Sequence, residues 1–513
     1  MPRRLAQLIA VALVVVTLCT TAPAAERNII VYITDDQSTT LGCYGDPVAK
    51  TPALDSLAAD GTRFTHAFAT TASCSASRSV VLSGLHNHKN GQYGHQHHYH
   101  KMASYPDVVS LALPRVLAGA GYRTARIGKY HVAPAQVYHF DQVLKSTTPG
   151  GGRNTVAMAE GCREFIEDAS DDRPFFLYVA TNDPHRSGGV DRTSPRRLKP
   201  NLFGNKPNRG FHAGVDEVYY NPADVPVPPF LPDTLETREE LAQYYQSVAR
   251  IDQGVARLVE VLKSAGVFDK TLILFTSDHG MAFAGAKTNV YEPALHVPFI
   301  VRNPYAVQRG TVTDALVSHI DITPSLVDFA GALDKESNGP KDWVDPRKVW
   351  KQLGGAPAEN RSGGQRFNRY HGRSWLPVLD EPTREHHNTL FASHTFHEIT
   401  MYYPMRVVRD RRYKLIWNLA YPLPYPFASD LWAASSWQAQ LEKGPNAPYG
   451  VRTVDGYQHR PEFELFDLAQ DPDEAVNLAA DPRHAATLAE YQRRLRDMQQ
   501  QLEDPWRMKW RYE

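Results

Sequence analysis

Three things are scarce in this 513-residue chain, and each scarcity removes a class of answer. There are four cysteines, too few for a disulfide scaffold to stand in for a hydrophobic core. There is no excess charge: 56 Lys and Arg face 56 Asp and Glu, so no global basic field points to nucleic acid or an anionic membrane. An acidic substrate would have to be held by a local group of cations. Past residue 25 no apolar run is long enough to cross a bilayer. With 42% hydrophobic residues, the length suffices for one large core and a second, smaller one.

The start of the chain carries an address. Arg3 and Arg4 precede an apolar run from Leu8 to Cys19, and Ala22-Pro23-Ala24 follows it. A basic start, a short apolar stretch and an Ala-x-Ala site predict a cleavable signal peptide over 1–24. The mature protein is then expected to be secreted or periplasmic, with no membrane contact after cleavage. Arg3-Arg4 leaves twin-arginine export open beside the general route. Cleavage leaves Cys43, Cys74 and Cys162, so at least one thiol is free or modified.

Several apolar runs end abruptly in polar groups. Ile29 to Ile33 runs into Asp35-Asp36, Phe175 to Ala180 into Asp183-Pro184-His185, and Leu272 to Phe275 into Asp278-His279. Continuous apolar strands are buried on both faces, as in a parallel sheet, and α/β sites gather at the carboxyl ends of such strands. Between them, Tyr244, Val248, Ile251, Val255, Leu258 and Leu262 keep a 3.6 period until Gly266. This alternation predicts an α/β fold with a mostly parallel central sheet flanked by helices. Pro- and Gly-rich stretches at about 187–233 and 335–372 read as long surface insertions. From about residue 385 the pattern changes. Val407-Val408, Tyr413 to Trp417 and Glu464 to Leu468 read as short strands, and Leu488, Tyr491, Leu495, Met498 and Leu502 share one helix face. A catalytic α/β domain over 25–384 and a smaller antiparallel sheet with a helix over 385–513 are expected.

Adjacent acids at strand ends are costly unless a cation or proton offsets them. Asp35-Asp36 and Asp278-His279 could each cap a helix, but together they favour a hard cation such as calcium or magnesium. Ser73-Cys74-Ser75-Ala76-Ser77-Arg78 opens a predicted helix, where free backbone N–H groups would lower a thiol's pKa. A thiolate is a soft ligand, mismatched to such a cation. The mismatch disappears if residue 74 is not a thiol in the working protein. The histidines His95, His97, His98 and His100 form a zinc-like run, read here as a pocket wall or loop.

Cys74-x-Ala76-Ser77-Arg78 resembles the signature of the formylglycine-dependent sulfatases, with Ala76 where Pro is usual. Asp35-Asp36, Lys129-x-His131, His185, Asp278-His279, Lys287 and the closing run Asp471-Pro472-x-Glu474 to Asn477-Leu478 fall in that family's order. Gly128-Lys129-x-His131-Val132, Asp171 to Arg186, Arg250-x-Asp252-Gln253-Gly254 and His397-Glu398-x-Thr400-Met401 resemble its sulfamidase branch, with His279 and Lys287 replacing that branch's Asn and Arg. The resemblance implies an alkaline-phosphatase-like fold and hydrolysis of the N-sulfate of terminal N-sulfoglucosamine in heparan sulfate or heparin saccharides. An O-sulfatase on another glycan, or a phosphoesterase of the same fold, stays open.

It also implies one calcium held by Asp35, Asp36, Cys74, Asp278 and His279. Formylglycine at 74 would be made by a separate maturation enzyme and, hydrated, supply the nucleophile. Asp278 would accept its proton, while Arg78, Lys129 and Lys287 hold the sulfuryl oxygens. His185 would protonate the leaving group and His131 would assist sulfate release. His95, His394, His397 and Glu398 are candidate saccharide contacts. A homodimer stays open.

Overall fold

Strands that are apolar on both faces belong inside a layer, and the computed structural model places them there. The structure describes residues 27–97, 99–148, 151–187, 199–206, 210–355 and 365–512; the signal segment and His98 lie outside these. The main sheet has eight strands. These are β1 (Asn28–Thr34), β2 (Thr62–Phe64), β3 (Arg123–Gly128), β4 (Gln142–Val143), β5 (Phe175–Ala180), β6 (Thr271–Ser277), β7 (Phe299–Arg302) and β8 (Thr311–Thr313). Their order is β4-β3-β5-β1-β6-β7-β2-β8. Strands β3, β5, β1 and β6 run parallel to one another, while β7 is antiparallel to both neighbours. Every residue of β1, β5 and β6 is buried, which is why their sequences show no alternation.

Two helices matter for the site. Helix α1 (Cys74–Ser83) is buried along its whole length although half of it is polar. Its serines bond inward: Ser79 Oγ donates to the Ala76 carbonyl and Ser83 Oγ to the Ser79 carbonyl, each at 2.6 Å. Gly84 ends it at φ +65°. Helix α2 (Leu235–Ser264) starts earlier than the apolar period indicates, because Thr234 caps it through the Thr237 N–H. Gly266, at φ +69°, follows its end.

A second sheet is antiparallel: β9 (Leu390–His394), β10 (Met405–Arg409), β11 (Tyr413–Asn418) and β12 (Phe463–Asp467). One of its faces, with Ala392, Met405, Val407 and Ile416, joins the core of the main sheet. Helix α3 (Ala485–Gln501) covers the other face, packing Tyr491 and Leu495 on Phe391, Val408, Leu415 and Leu465.

The two expected surface insertions are more deeply packed than composition indicates. Residues 199–206 and 210–233 contain no helix or strand, yet Phe203, Val225 and Leu231 are buried, with Phe203 against Tyr244 and Phe283. In 335–372, Trp350 is buried and its indole N–H donates to the Pro106 carbonyl. Buried side chains anchor both segments, Phe203 in the first and Trp350, Phe367 and Tyr370 in the second, and composition does not register them. Among the described residues no helix is long and apolar enough to cross a membrane.

Candidate active site

The parallel strands deliver their following residues to one edge of the sheet. Asp35 and Asp36 follow β1, Lys129 and His131 follow β3, Asp183 and His185 follow β5, and Asp278 and His279 follow β6. The turns are tight: Asp36 and His131 take left-handed backbone conformations, at φ +65° and +57°, a strained state of the kind concentrated at functional sites. The N-terminus of α1 brings Cys74 and Arg78 to the same edge, and the loop after β6 brings Lys287.

All the central carboxylates are engaged. Lys129 Nζ lies 2.7 and 2.6 Å from the two oxygens of Asp35. Arg78 donates Nε to Asp278 Oδ2 at 3.0 Å and Nη2 to Asp35 Oδ1 at 3.2 Å, and also reaches the Thr34 and Lys129 carbonyls. The Asp36 N–H donates to Asp278 Oδ1 at 3.0 Å. Lys287 Nζ stands 2.9 Å from each of Asp36 Oδ2, Asp430 Oδ2 and His185 Nε2. Cys74 Sγ is 3.7 Å from Asp36 Oδ1 and 3.4 Å from His279 Nε2.

Beneath these groups Asp183 acts as a clamp. Its buried carboxylate binds Arg153 at 2.9 Å and Arg250 at 2.7 Å. Its carbonyl accepts the Asp35 N–H at 3.0 Å. Arg153 also holds the His185 and Arg186 carbonyls, so the loop bearing His185 is tied to β1 and α2 together. A cleft of about 380 Å³ opens here, with Asp35, Lys129, His131, His185 and Arg186 in its wall, at the small end of ligand pockets.

Electrostatics separates the acids by role. Burial works against an ionised Asp35, but Lys129, His185 and Arg78 hold its carboxyl well below the ordinary range. Burial likewise opposes a charged Asp36, and Lys287, His185 and His279 lower it. Asp278 goes the other way: burial pushes it up, and Arg78 does not offset that. Burial and the Lys129 cation keep His131 neutral. Burial and Lys287 oppose a proton on His185, yet Asp36 and Asp35 prevail and raise it. Cys74 corrects the expectation from its helix position. Burial raises its thiol despite Lys129, with Asp36 adding to the rise, so the side chain is a weak thiol nucleophile.

The sulfatase family model, described as Sulfatase, matches residues 27–332. The chain belongs to the sulfatase family. Human N-sulphoglucosamine sulphohydrolase is 36% identical to it over 509 residues, spanning 96% of this chain and 93% of that protein. A solved protein in complex with its substrate D-glucosamine-2-N,6-O-disulfate shares the fold at TM-score 0.62 and 20% identity, over 93% of this sulfatase and 98% of that chain. The phosphonate monoester hydrolase of Agrobacterium radiobacter does so at TM-score 0.60 and 20% identity, over 93% and 96%.

At this edge the residues of the sulfatase fit a cation. Asp36, Cys74, Asp278 and His279 each offer a ligand atom, all within 4.8 Å of one another. His279 Nδ1 lies 3.0 Å from the Gly280 carbonyl, which directs Nε2 at Asp36 Oδ1, 3.2 Å away, and at Cys74 Sγ, 3.4 Å away. The fifth expected ligand, Asp35, lies beside this group with both oxygens on Lys129. Arg78, expected on the sulfuryl group, serves four acceptors of the protein and fixes the carboxylates.

Of the expected saccharide contacts, His95, His394 and His397 are buried. His397 is buried, with Nδ1 3.1 Å from Ser73 Oγ beside the nucleophile position. His394 is buried at the end of β9, and burial lowers it to about 3. Glu398 accepts from Ser429 Oγ at 2.8 Å. His95 is buried against His397, their ring centroids 3.7 Å apart. Two participants stand outside the expected catalytic set. Asp430 reaches Lys287 from 143 residues away, and His97 Nδ1 lies 2.7 Å from His131 Nε2. The histidine-rich run pointed to His97 only as pocket wall or loop; for Asp430 there was no local signal.

Proposed function

We propose that this sulfatase hydrolyses the N-sulfate of terminal N-sulfoglucosamine in saccharides derived from heparan sulfate or heparin. The observation that carries the substrate is the 36% identity to human N-sulphoglucosamine sulphohydrolase, because it extends over 96% of the chain and so through both sheets. With residue 74 converted to formylglycine and calcium bound at Asp36, Asp278 and His279, the centre supplies an oxygen nucleophile and positive charge for the sulfuryl oxygens.

The remaining work falls to this chain's own side chains. Asp278 takes the proton of the attacking hydroxyl. Lys129 and Lys287 hold the sulfuryl oxygens as their charge grows. An S–O bond forms and the N–S bond breaks. His185, with Nε2 directed into the site, gives the departing nitrogen its proton, without which an amine would leave as an unstable anion. His131, kept neutral by its surroundings, accepts the proton whose removal lets sulfate go. Export through segment 1–24, a maturation enzyme acting on Cys74, and a catalytic unit 25–384 beside a smaller unit 385–513 belong to the same proposal.

The test compares glucosamine N-sulfate, glucosamine 6-sulfate and an aryl sulfate, with wild type beside His185→Ala. The variant should lose far more on the N-sulfate than on the aryl sulfate, whose leaving group needs little protonation. Preference for the 6-O-sulfate, or equal damage on all three, would defeat the substrate assignment.

A further inference from the structure

We propose that His95, His97 and His131 form a second metal site, a three-imidazole cradle for a borderline-soft divalent cation of the zinc type, which stops turnover by occupying His131. One ring nitrogen from each residue lies within 4.8 Å of the other two. The ring centroids form a near-equilateral triangle: His95 to His97 4.6 Å, His95 to His131 4.8 Å, His97 to His131 4.8 Å. Zinc binds imidazole nitrogen at about 2.0–2.1 Å in tetrahedral geometry, which separates ligand nitrogens by about 3.4 Å. His97 Nδ1 and His131 Nε2 already converge to 2.7 Å, so they would part slightly while His95 closes in.

His95 is the independent observation. Its residue is 5% exposed, and neither ring nitrogen has a hydrogen-bond partner among the described residues. A buried polar group left unsatisfied costs about 1–3 kcal/mol, and such an orphan asks for an explanation. The backbone holds it there: the His95 N–H donates to the His397 carbonyl at 3.0 Å, and its own carbonyl accepts the Met102 N–H at 2.9 Å. A bound cation would satisfy one of the two ring nitrogens and, once the proton between them has left, would meet His97 Nδ1 and His131 Nε2.

Ligand chemistry separates this cradle from the Asp36–Asp278 centre. Carboxylate oxygens select hard cations, whereas imidazoles suit zinc, copper and nickel. Calcium has no carboxylate to hold it among the three histidines, so it does not compete for the cradle. The inhibitory consequence rests on the role proposed for His131; the binding does not.

The experiment titrates zinc chloride by calorimetry into calcium-loaded full-length enzyme kept in millimolar calcium, with cobalt(II) as an absorption probe. One zinc should bind per chain, and cobalt should give the intense visible bands of a tetrahedral site. His95→Phe and His97→Gln, each verified as folded by circular dichroism and calcium content, should weaken zinc at least tenfold and lose the cobalt bands. Two variants guard against one failing to fold. Unchanged zinc affinity in both, displacement of zinc by calcium, or no zinc bound would overturn the site. Bound zinc should also halt aryl sulfate turnover until a chelator removes it. Zinc on the cradle with full turnover would overturn the inhibition and the role of His131 while leaving the site standing.

Discussion

Replacing Asp430 by Asn tests how the transition state is held. The Lys287 ammonium has three hydrogens, and three acceptors stand 2.9 Å from it: Asp36, Asp430 and His185. The lysine side chain is 1% exposed, so a sulfuryl oxygen must displace one of the three. His185 is the weakest holder, because its pKa is raised by Asp36 and Asp35 and, once protonated to serve the leaving group, its ring has no lone pair to accept from Lys287. Its displacement frees the ring that the leaving group needs.

Asp430→Asn keeps the shape and an acceptor oxygen but removes the charge. A hydrogen bond to a charged group contributes about 1.5–3 kcal/mol net and a neutral one about 0.5–1.5. The swap therefore costs Lys287 about 1–1.5 kcal/mol of anchoring, or roughly a five- to tenfold loss in kcat/KM. The assay is kcat/KM on an aryl sulfate and on glucosamine N-sulfate, with melting temperature as the folding control. In a Lys287→Met background the same change should have little further effect, since the shared contact is already gone. A kcat/KM within twofold of wild type, or full additivity with Lys287→Met, would refute the reasoning.

Peptide mass mapping of active enzyme should find residue 74 as an aldehyde, about 18 Da lighter than cysteine, because a thiol is the wrong partner for a hard cation; turnover by a wholly unmodified thiol would contradict this. His279→Asn should keep its calcium, since an amide oxygen suits that ion better than imidazole does; metal analysis showing an empty protein would make His279 a required ligand. Asp504→Asn should destabilise the fold by about 3–5 kcal/mol in chemical denaturation near neutral pH, because it breaks a fully buried bidentate pair with Arg406 at 2.7 and 3.1 Å. Burial opposes the charge on Asp504, but Arg406 and His88 depress its folded pKa. Its contribution is therefore full above the unfolded carboxylate value of about 3.9. The gap between wild type and variant should narrow as pH falls below about 4, and a gap that widened there would contradict the assignment.

How much of this was legible depended on whether neighbours in sequence were also neighbours in space. Strands β1, β5 and β6 could be read because burial on both faces leaves an unbroken apolar run. Their polar ends could be read as a site because parallel strands place all of them on one edge. Asp430 could not, since a four-residue helix, Ser429–Trp432, carries it in from the far side of the chain with no pattern of its own. The first turns of α2 were hidden because they are fixed by the Thr234 cap and not by apolar periodicity. Cys74 misled in a different way. Its position at a helix N-terminus was read correctly, but the penalty of full burial outweighs the effect of that position on the thiol.

The absence of net charge in the chain acquires a meaning at the sheet edge. Among the described residues Asp35, Asp36, Asp278 and Asp430 pair with three permanent cations there: Arg78, Lys129 and Lys287. With all four acids ionised the group is negative by one, or neutral once His185 takes the proton that Asp36 and Asp35 favour, so by itself it offers an anion no net attraction. A divalent cation among Asp36, Asp278 and His279 would turn the same group positive. Lys287 has carboxylate partners Asp36 and Asp430 at 2.9 Å, so it can turn fully to the substrate only once a cation draws charge from Asp36. Cation binding and substrate binding are then coupled through shared carboxylates, and no basic surface is needed to bring the anion in.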